Sequence, residues 1–150
     1  MPITYVTGDL LKSDCDVIAH GCNCFCTMGS GIARAIRATH PEAYEADLAT
    51  AKGDRNKLGS CSAAQVDYCG QPRFILNLYT QYNFGTHQVQ VDYAALENCM
   101  RILRDFGKPR VLKKGIPLIG CGLAGGDWKI VSAIIEKVFG DEDIHVYKLE

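Results

Sequence analysis

Apolar positions along this chain alternate between short β-type runs and longer helical faces. Ile3 to Val6 alternates and is rich in β-formers, and Val17-Ile18-Ala19 is a compact apolar run after the polar Ser13 to Asp16, so both predict strands. A glycine-punctuated loop runs from Gly21 to Gly31. Ile32, Ala35 and Ile36 then fall on one helical face, with Arg34 and Arg37 on another. His40-Pro41 closes this helix, because the residue before a proline is disfavoured in helical conformation. Pro41 suits the first turn of a second helix through Tyr44 and Leu48 to about Lys52-Gly53. Asp54 to Ser60 is polar apart from Leu58 and reads as a loop.

The second half repeats the rhythm. Ala63 to Tyr68 and Arg73 to Thr80 read as strands joined across the turn cluster Cys69-Gly70-Gln71-Pro72. After a loop from Gln81 to Val91, Asp92 caps a helix through Leu96, Met100, Ile102 and Leu103 that ends near Phe106-Gly107. Ile116 to Ile119 reads as a buried strand running into Gly120–Gly126. Asp127 caps a helix with Val131, Ile134, Ile135 and Val138 on its apolar side, and Ile144 to Leu149 closes the chain as a strand. Strand–helix alternation with central strands apolar on both faces implies an α/β fold, a mixed and largely parallel sheet covered by helices.

Composition narrows the class. The 150 residues fit one domain. Basic and acidic side chains nearly balance at 16 and 17, which argues against a general electrostatic grip on nucleic acid or anionic lipid. The start of the chain has no basic leader, and no run approaches the ~18 apolar residues of a membrane span, so a cytoplasmic location is expected. The eight cysteines are expected as free thiols, since a chain of this size needs no disulfide framework to hold its core. His20, Cys22, Cys24 and Cys26 alternate as a strand would present them. Alternate strand residues diverge rather than converge, so no metal site is expected and the cysteines read as small buried hydrophobes.

Two glycine loops carry the candidate chemistry. One runs from Asn23 through Gly29-Ser30-Gly31 into a helix, the other from Gly120 through Gly126 into another. Each follows a strand and precedes a helix, where α/β sheets bind ligands, and glycine lets the backbone approach a phosphate beside the helix N-terminus. Each loop alone is equally a tight turn that needs glycine. Neither fits the lysine-bearing phosphate loop or the spaced dinucleotide fingerprint.

Gly8-Asp9-Leu10, His20-Gly21-Cys22-Asn23-Cys24, Gly29-Ser30-Gly31-Ile32-Ala33, Ile119 through Trp128, and the terminal Val146-Tyr147-Lys148-Leu149 together resemble the macrodomain family along essentially the whole chain. The resemblance implies a three-layer α/β/α sandwich that binds ADP-ribose; no cofactor and a monomeric chain are expected. By it, Asp9 would accept from the adenine amino group and Leu10 would donate from its backbone, while Tyr147 and Leu149 would flank the ring. Asn23 would meet the distal ribose. Met28, Gly29, Ser30, Gly31, Ile32 and Ala33, with Gly120, Cys121, Gly122, Leu123, Ala124 and Gly125, would wrap the two phosphates.

The same resemblance separates chemistries. One branch removes ADP-ribose from acidic side chains with a lysine at a strand end and an aspartate in the second glycine loop. Gln81 and Ala124 stand there in this chain, and neither supplies that chemistry. The segment around His20 instead is similar to the branch that dephosphorylates ADP-ribose 1″-phosphate. On that reading His20 is base, acid or nucleophile, and Asp127 orients it or activates water, unless His20 is a core-edge histidine and Asp127 an N-cap. The alternatives are an ADP-ribosyl hydrolase acting on protein or nucleic acid, and a non-catalytic ADP-ribose reader.

Overall fold

Strand β2 (Val17–Cys22) sets the architecture, because apolar residues on both of its faces must be covered. Val17 and Ala19 pack into one core cluster with Leu96, Met100, Val131 and Ile135. Ile18 and Cys22 pack into the other, with Leu10, Ile36 and Ala43. The computed structural model describes residues 2–29, 31–84, 90–121 and 125–149. Helices α1 (Gly31–Thr39) and α2 (Pro41–Leu48) cover the second face, and α3 (Tyr93–Asp105) and α4 (Trp128–Phe139) cover the first. The result is an α/β/α sandwich.

The sheet has six strands in the described residues, completed by β1 (Ile3–Thr7), β3 (Cys61–Tyr68), β4 (Gln71–Tyr79), β5 (Lys114–Ile116) and β6 (Ile144–Lys148). Their order is β1-β6-β5-β2-β4-β3, parallel throughout except for β3, which runs antiparallel to β4. That edge strand follows from the hairpin. Cys69 and Gly70 adopt φ of 52° and 79°, the pair of positive values that a two-residue turn requires. The hairpin is therefore tighter than the four-residue turn expected, and β4 starts at Gln71.

Two other boundaries differ from the pattern. The strand expected at residues 116–119 lies at Lys114–Ile116. Pro117 has no N–H to extend the ladder, and its carbonyl instead accepts from Ile119 N at 2.7 Å. Lys114 is buried in the strand because its ammonium donates to Arg104 O at 2.6 Å. Helix α2 stops at Leu48, short of the expected Lys52-Gly53. The helix caps fall as expected, with Asp92 Oδ1 accepting from Ala95 N at 3.0 Å and Asp127 Oδ1 from Lys129 N at 2.9 Å.

Candidate functional site

A cavity of about 990 Å³ opens along the C-terminal ends of the parallel strands, the upper part of the size range of small-molecule sites. Gly8 to Leu11 line it after β1, and Tyr147, Lys148 and Leu149 at β6. Residues 117–121 line it after β5, Gly21 to Asn23 with Thr27 to Gly29 at β2, and Gln81 with Phe84 after β4. It thus spans five adjacent strands, four spacings of ~4.8 Å or about 19 Å.

The β1/β6 end is built by Asp9. Its Oδ1 accepts from Leu11 N at 3.0 Å and caps the 3-10 turn Leu10–Lys12, leaving the second oxygen for a ligand. The turn is anchored from below by Arg73, 2% exposed, whose Nη1 donates to Leu11 O at 2.9 Å and Nε to Cys15 O at 3.3 Å. Nη2 donates to Ser13 O, and the guanidinium stacks 3.8 Å above the Tyr68 ring. Tyr147 is held at this end by the Cys15 thiol, which donates to its hydroxyl at 3.8 Å.

The middle of the cavity is formed by backbone. Gly31 opens α1 with φ 58°, and Met28 holds φ 39°, a region that side chains other than glycine enter rarely. Helix α1 therefore points its free N–H groups at the cavity wall. Gly126 shapes the second loop: its N–H donates to Gly120 O at 2.8 Å, and a Cβ there would lie 2.4 Å from that oxygen. No side chain fits.

At the β2/β4 end the side chain of Asn23 is fixed by its own loop. Oδ1 accepts from Phe25 N at 2.8 Å and Nδ2 donates to Thr27 Oγ1 at 2.7 Å. Phe84 stands at the rim, 55% exposed. Asp47 of α2 also lines this end although it is only 1% exposed. Its Oδ1 accepts from Tyr79 OH at 2.6 Å, while Oδ2 has no partner among the described residues. Burial raises its pKa above the usual carboxylate value, against the opposing pull of the Tyr79 hydrogen bond and Lys57.

The structure gathers Asp9, Leu10, Asn23, Met28, Gly29, Gly31, Ile32, Ala33, Gly120, Cys121, Tyr147 and Leu149 around this one cavity. Gly125 is described but is not among the lining residues. Ser30, Gly122, Leu123 and Ala124 lie outside the described residues. Among the described residues no three histidine, cysteine or acidic side chains come together as metal ligands. Cys24 and Cys26 instead donate to the backbone carbonyls of Gln81 and Asp47, at 3.5 Å and 3.2 Å.

The two expected catalytic residues are placed elsewhere. His20 is fully buried under α2 and does not line the cavity. Asn77 Nδ2 donates to Ala43 O at 2.9 Å and Ser62 Oγ at 3.0 Å, which leaves Asn77 Oδ1 to accept from His20 Nε2 at 2.7 Å. The backbone carbonyl of Ala43 thus fixes the amide and, through it, the histidine tautomer. Cys22 Sγ stands 3.6 Å from both ring nitrogens, so it lies over the ring face and not along the Nδ1 lone pair. That geometry makes no thiol–imidazole base pair. Burial lowers the His20 pKa to about 4, partly offset by the Asn77 bond, and the ring stays neutral. Asp127 is exposed, caps α4 and is likewise not in the lining. In the structure His20 therefore sits in the core and Asp127 at the N-cap of α4, and neither belongs to the lining of the cavity.

Residues 19–135 match the model of the Macro domain family. The chain belongs to this family. Among sequence relatives, the macro domain here is 40% identical to an uncharacterized 17.5 kDa protein of Enterobacteria phage T4, over 91% of this chain and 89% of that one. It is 32% identical to the human ADP-ribose glycohydrolase OARD1, with 96% and 88% covered. It is 27% identical to an ADP-ribose 1″-phosphate phosphatase of Scheffersomyces stipitis, with 97% and 98% covered. Among solved structures, the macrodomain of Thermus aquaticus DarG superposes with a TM-score of 0.79 at 20% identity, over 97% of both chains.

Proposed function

We propose that this macro domain binds ADP-ribose along the cavity and hydrolyses a glycosidic bond at C1″ of the distal ribose, releasing ADP-ribose from a modified protein or nucleic acid. The cavity's reach supports the binding: about 19 Å of strand ends suits a ligand with a base, a diphosphate and two sugars in line. Asp9, an acceptor-only group, suits an exocyclic amine at one end. Backbone N–H groups at the start of α1 and around Gly120 suit the diphosphate without a cationic clamp. Asn23 suits the far ribose.

Charge at the far end carries the choice of bond. The ionisable groups lining it in the described residues are the Asp47 carboxyl and the Cys22 thiol, which burial keeps protonated; no lysine, arginine or histidine does. A 1″-phosphate dianion would meet a carboxylate there, whereas the oxocarbenium-like transition state of glycoside cleavage is stabilised by one. The phosphatase reading is supported by the relatives that bear that name, but among the described residues the far end of the cavity offers no cation for the phosphoryl oxygens, Lys148 lining the opposite, β6 end.

The test is calorimetry with ADP-ribose beside turnover on ADP-ribosylated DNA, ADP-ribosylated protein and ADP-ribose 1″-phosphate. Heat of binding and release of ADP-ribose from one of the first two are expected. Phosphate release from the third outrunning both would reverse the choice of bond, and absence of binding heat would remove the whole reading.

A further inference from the structure

We propose that the rim beyond the far end of the cavity is a docking surface for single-stranded DNA, and that the bond cleaved joins ADP-ribose to a base of that strand. The inference rests on the glycosidic reading above and names what lies on the other side of the bond. Its basis is a row of side chains outside the glycine loops. Phe84 lines the cavity mouth and stays 55% exposed. Its ring meets Phe25 edge-to-face at 6.1 Å, and Phe25 meets Tyr82 in the same way at 5.0 Å. The guanidinium of the exposed Arg55 lies 3.9 Å over the Tyr82 ring. The row thus leads from the cavity to a cation on the outer surface.

Three loops are tied together to hold these rings. Cys24 N donates to Tyr82 O at 2.9 Å, Gly53 N to Cys24 O at 2.7 Å, and Tyr82 OH to Gly53 O at 2.7 Å. Gly53 holds φ 78°, and a Cβ there would press on the Phe25 ring at 3.2 Å, so this closure favours glycine twice over.

The same bonds select the partner. An extended peptide is gripped through main-chain hydrogen bonds. Here such groups are already paired: Phe25 N and Phe84 N donate to the Oδ1 atoms of Asn23 and Asn83 at 2.8 Å, and Asn83 O accepts from Gln81 Nε2 at 2.7 Å. What remains on offer is ring surface and positive charge, the combination that takes stacked bases and phosphates. A guanidinium over a ring meets phosphate oxygens through its N–H fork. Lys52 is exposed three residues before Arg55, and Asp54 between them is committed to its own turn, accepting from Asn56 N at 2.9 Å. Because stacking supplies much of the hold, a chain of balanced charge can take a strand at this one place. A base bonded to C1″ cannot reach the cavity from inside a duplex, so the strand is single. The polar atom of the three rings, the Tyr82 hydroxyl, donates to Gly53 O and leaves the rings no donor for a ribose 2′-hydroxyl, which favours DNA over RNA.

The test measures kcat/KM on a single-stranded DNA oligonucleotide carrying ADP-ribose on one base, on its RNA counterpart and on an ADP-ribosylated peptide. Ratios between substrates cancel whatever they share inside the cavity. Wild type should favour the DNA. Phe84→Ala should lower the DNA-to-peptide ratio about tenfold, the loss of one stacked base, and Phe84→Trp should restore it. Arg55→Gln should flatten the salt dependence on DNA by about 0.7 in the log–log slope and leave the peptide unchanged. A wild type that prefers the peptide overturns the surface in favour of a protein partner, and one that prefers RNA overturns the choice of strand. Equal losses on DNA and peptide in Phe84→Ala overturn it too, by assigning that ring to ADP-ribose itself; so does an Arg55→Gln slope equal to the wild type's. Wild type that cleaves only the peptide removes this inference alone, whereas wild type that cleaves none of the three removes the glycosidic reading with it.

Discussion

Acidification should destabilise this protein through His20. His20 is fully buried and neutral, and burial holds its pKa at about 4 against an ordinary 6.5. Because the folded value lies below the unfolded one, the stability is fully present above about pH 6.5 and is lost as the pH falls towards 4. The gap corresponds to about 2 kcal/mol lost by pH 5 and about 3 kcal/mol by pH 4. The ring cannot adapt by rotating a donor away. Asn77 Oδ1 is an acceptor because Asn77 Nδ2 is committed to Ala43 O and Ser62 Oγ. Protonation would therefore add a charged N–H at Nδ1 in the ring plane, while the nearby Cys22 thiol lies over the ring face and cannot accept along it.

Urea unfolding between pH 8 and 4.5, on wild type and His20→Gln, isolates the effect. Glutamine keeps a donor for Asn77 Oδ1 and does not titrate, so other groups cancel in the difference, including His40, which burial also lowers. The variant should lose about 2 kcal/mol less than wild type between pH 8 and 5. Its ring carbon and nitrogen shifts in wild type should show an Nε2–H tautomer that does not titrate above pH 5. Equal pH dependence in the two proteins, or a ring titrating near 6.5, would refute the placement of His20 in the core and return it to the candidates for catalysis.

Two further substitutions probe how the cavity is held. Arg73→Met leaves the carbonyls of Leu11, Ser13 and Cys15 without their donor; it should cost about 3 kcal/mol or more in urea unfolding and weaken ADP-ribose binding through the Asp9 end. An unchanged unfolding midpoint would contradict this. Gly126→Ala sets a Cβ 2.4 Å from Gly120 O and 2.8 Å from Val91 Cγ1, so the second glycine loop must shift. ADP-ribose affinity by calorimetry should fall about tenfold or more, and wild-type affinity would show that the loop does not shape the site.

Local rules carried most of the fold. The caps at Asp92 and Asp127, the break at His40-Pro41 and the helical faces each depend on a few neighbouring residues, and the structure keeps them. Where the strand boundaries moved, the cause was also local but of another kind. Pro117 lacks a donor, and Lys114 is tolerated inside a strand only because a carbonyl from α3 receives its ammonium. His20 shows a different limit. In a sheet covered on both faces, alternation says which side a residue faces and nothing about exposure. Positions 18, 20 and 22 therefore read alike whether they end in a core or in a pocket.

The same limit separates the residues of the glycine loops from the buried polar ones. Glycine at 31, 120 and 126 is demanded by backbone conformation and close approach, constraints written into a few consecutive residues. Acid–base chemistry depends instead on desolvation and on which donor faces an oxygen. Those are set by α2, β4 and the turn at Arg55–Lys57 meeting in space. A sequence read motif by motif therefore finds the glycine loops that wall the cavity and passes over Asp47, which packing alone brings to its edge. The only trace of Asp47 is a carboxylate one turn after Ala43 on a face that should be apolar, a mismatch that becomes informative once the helix is known to pack inward.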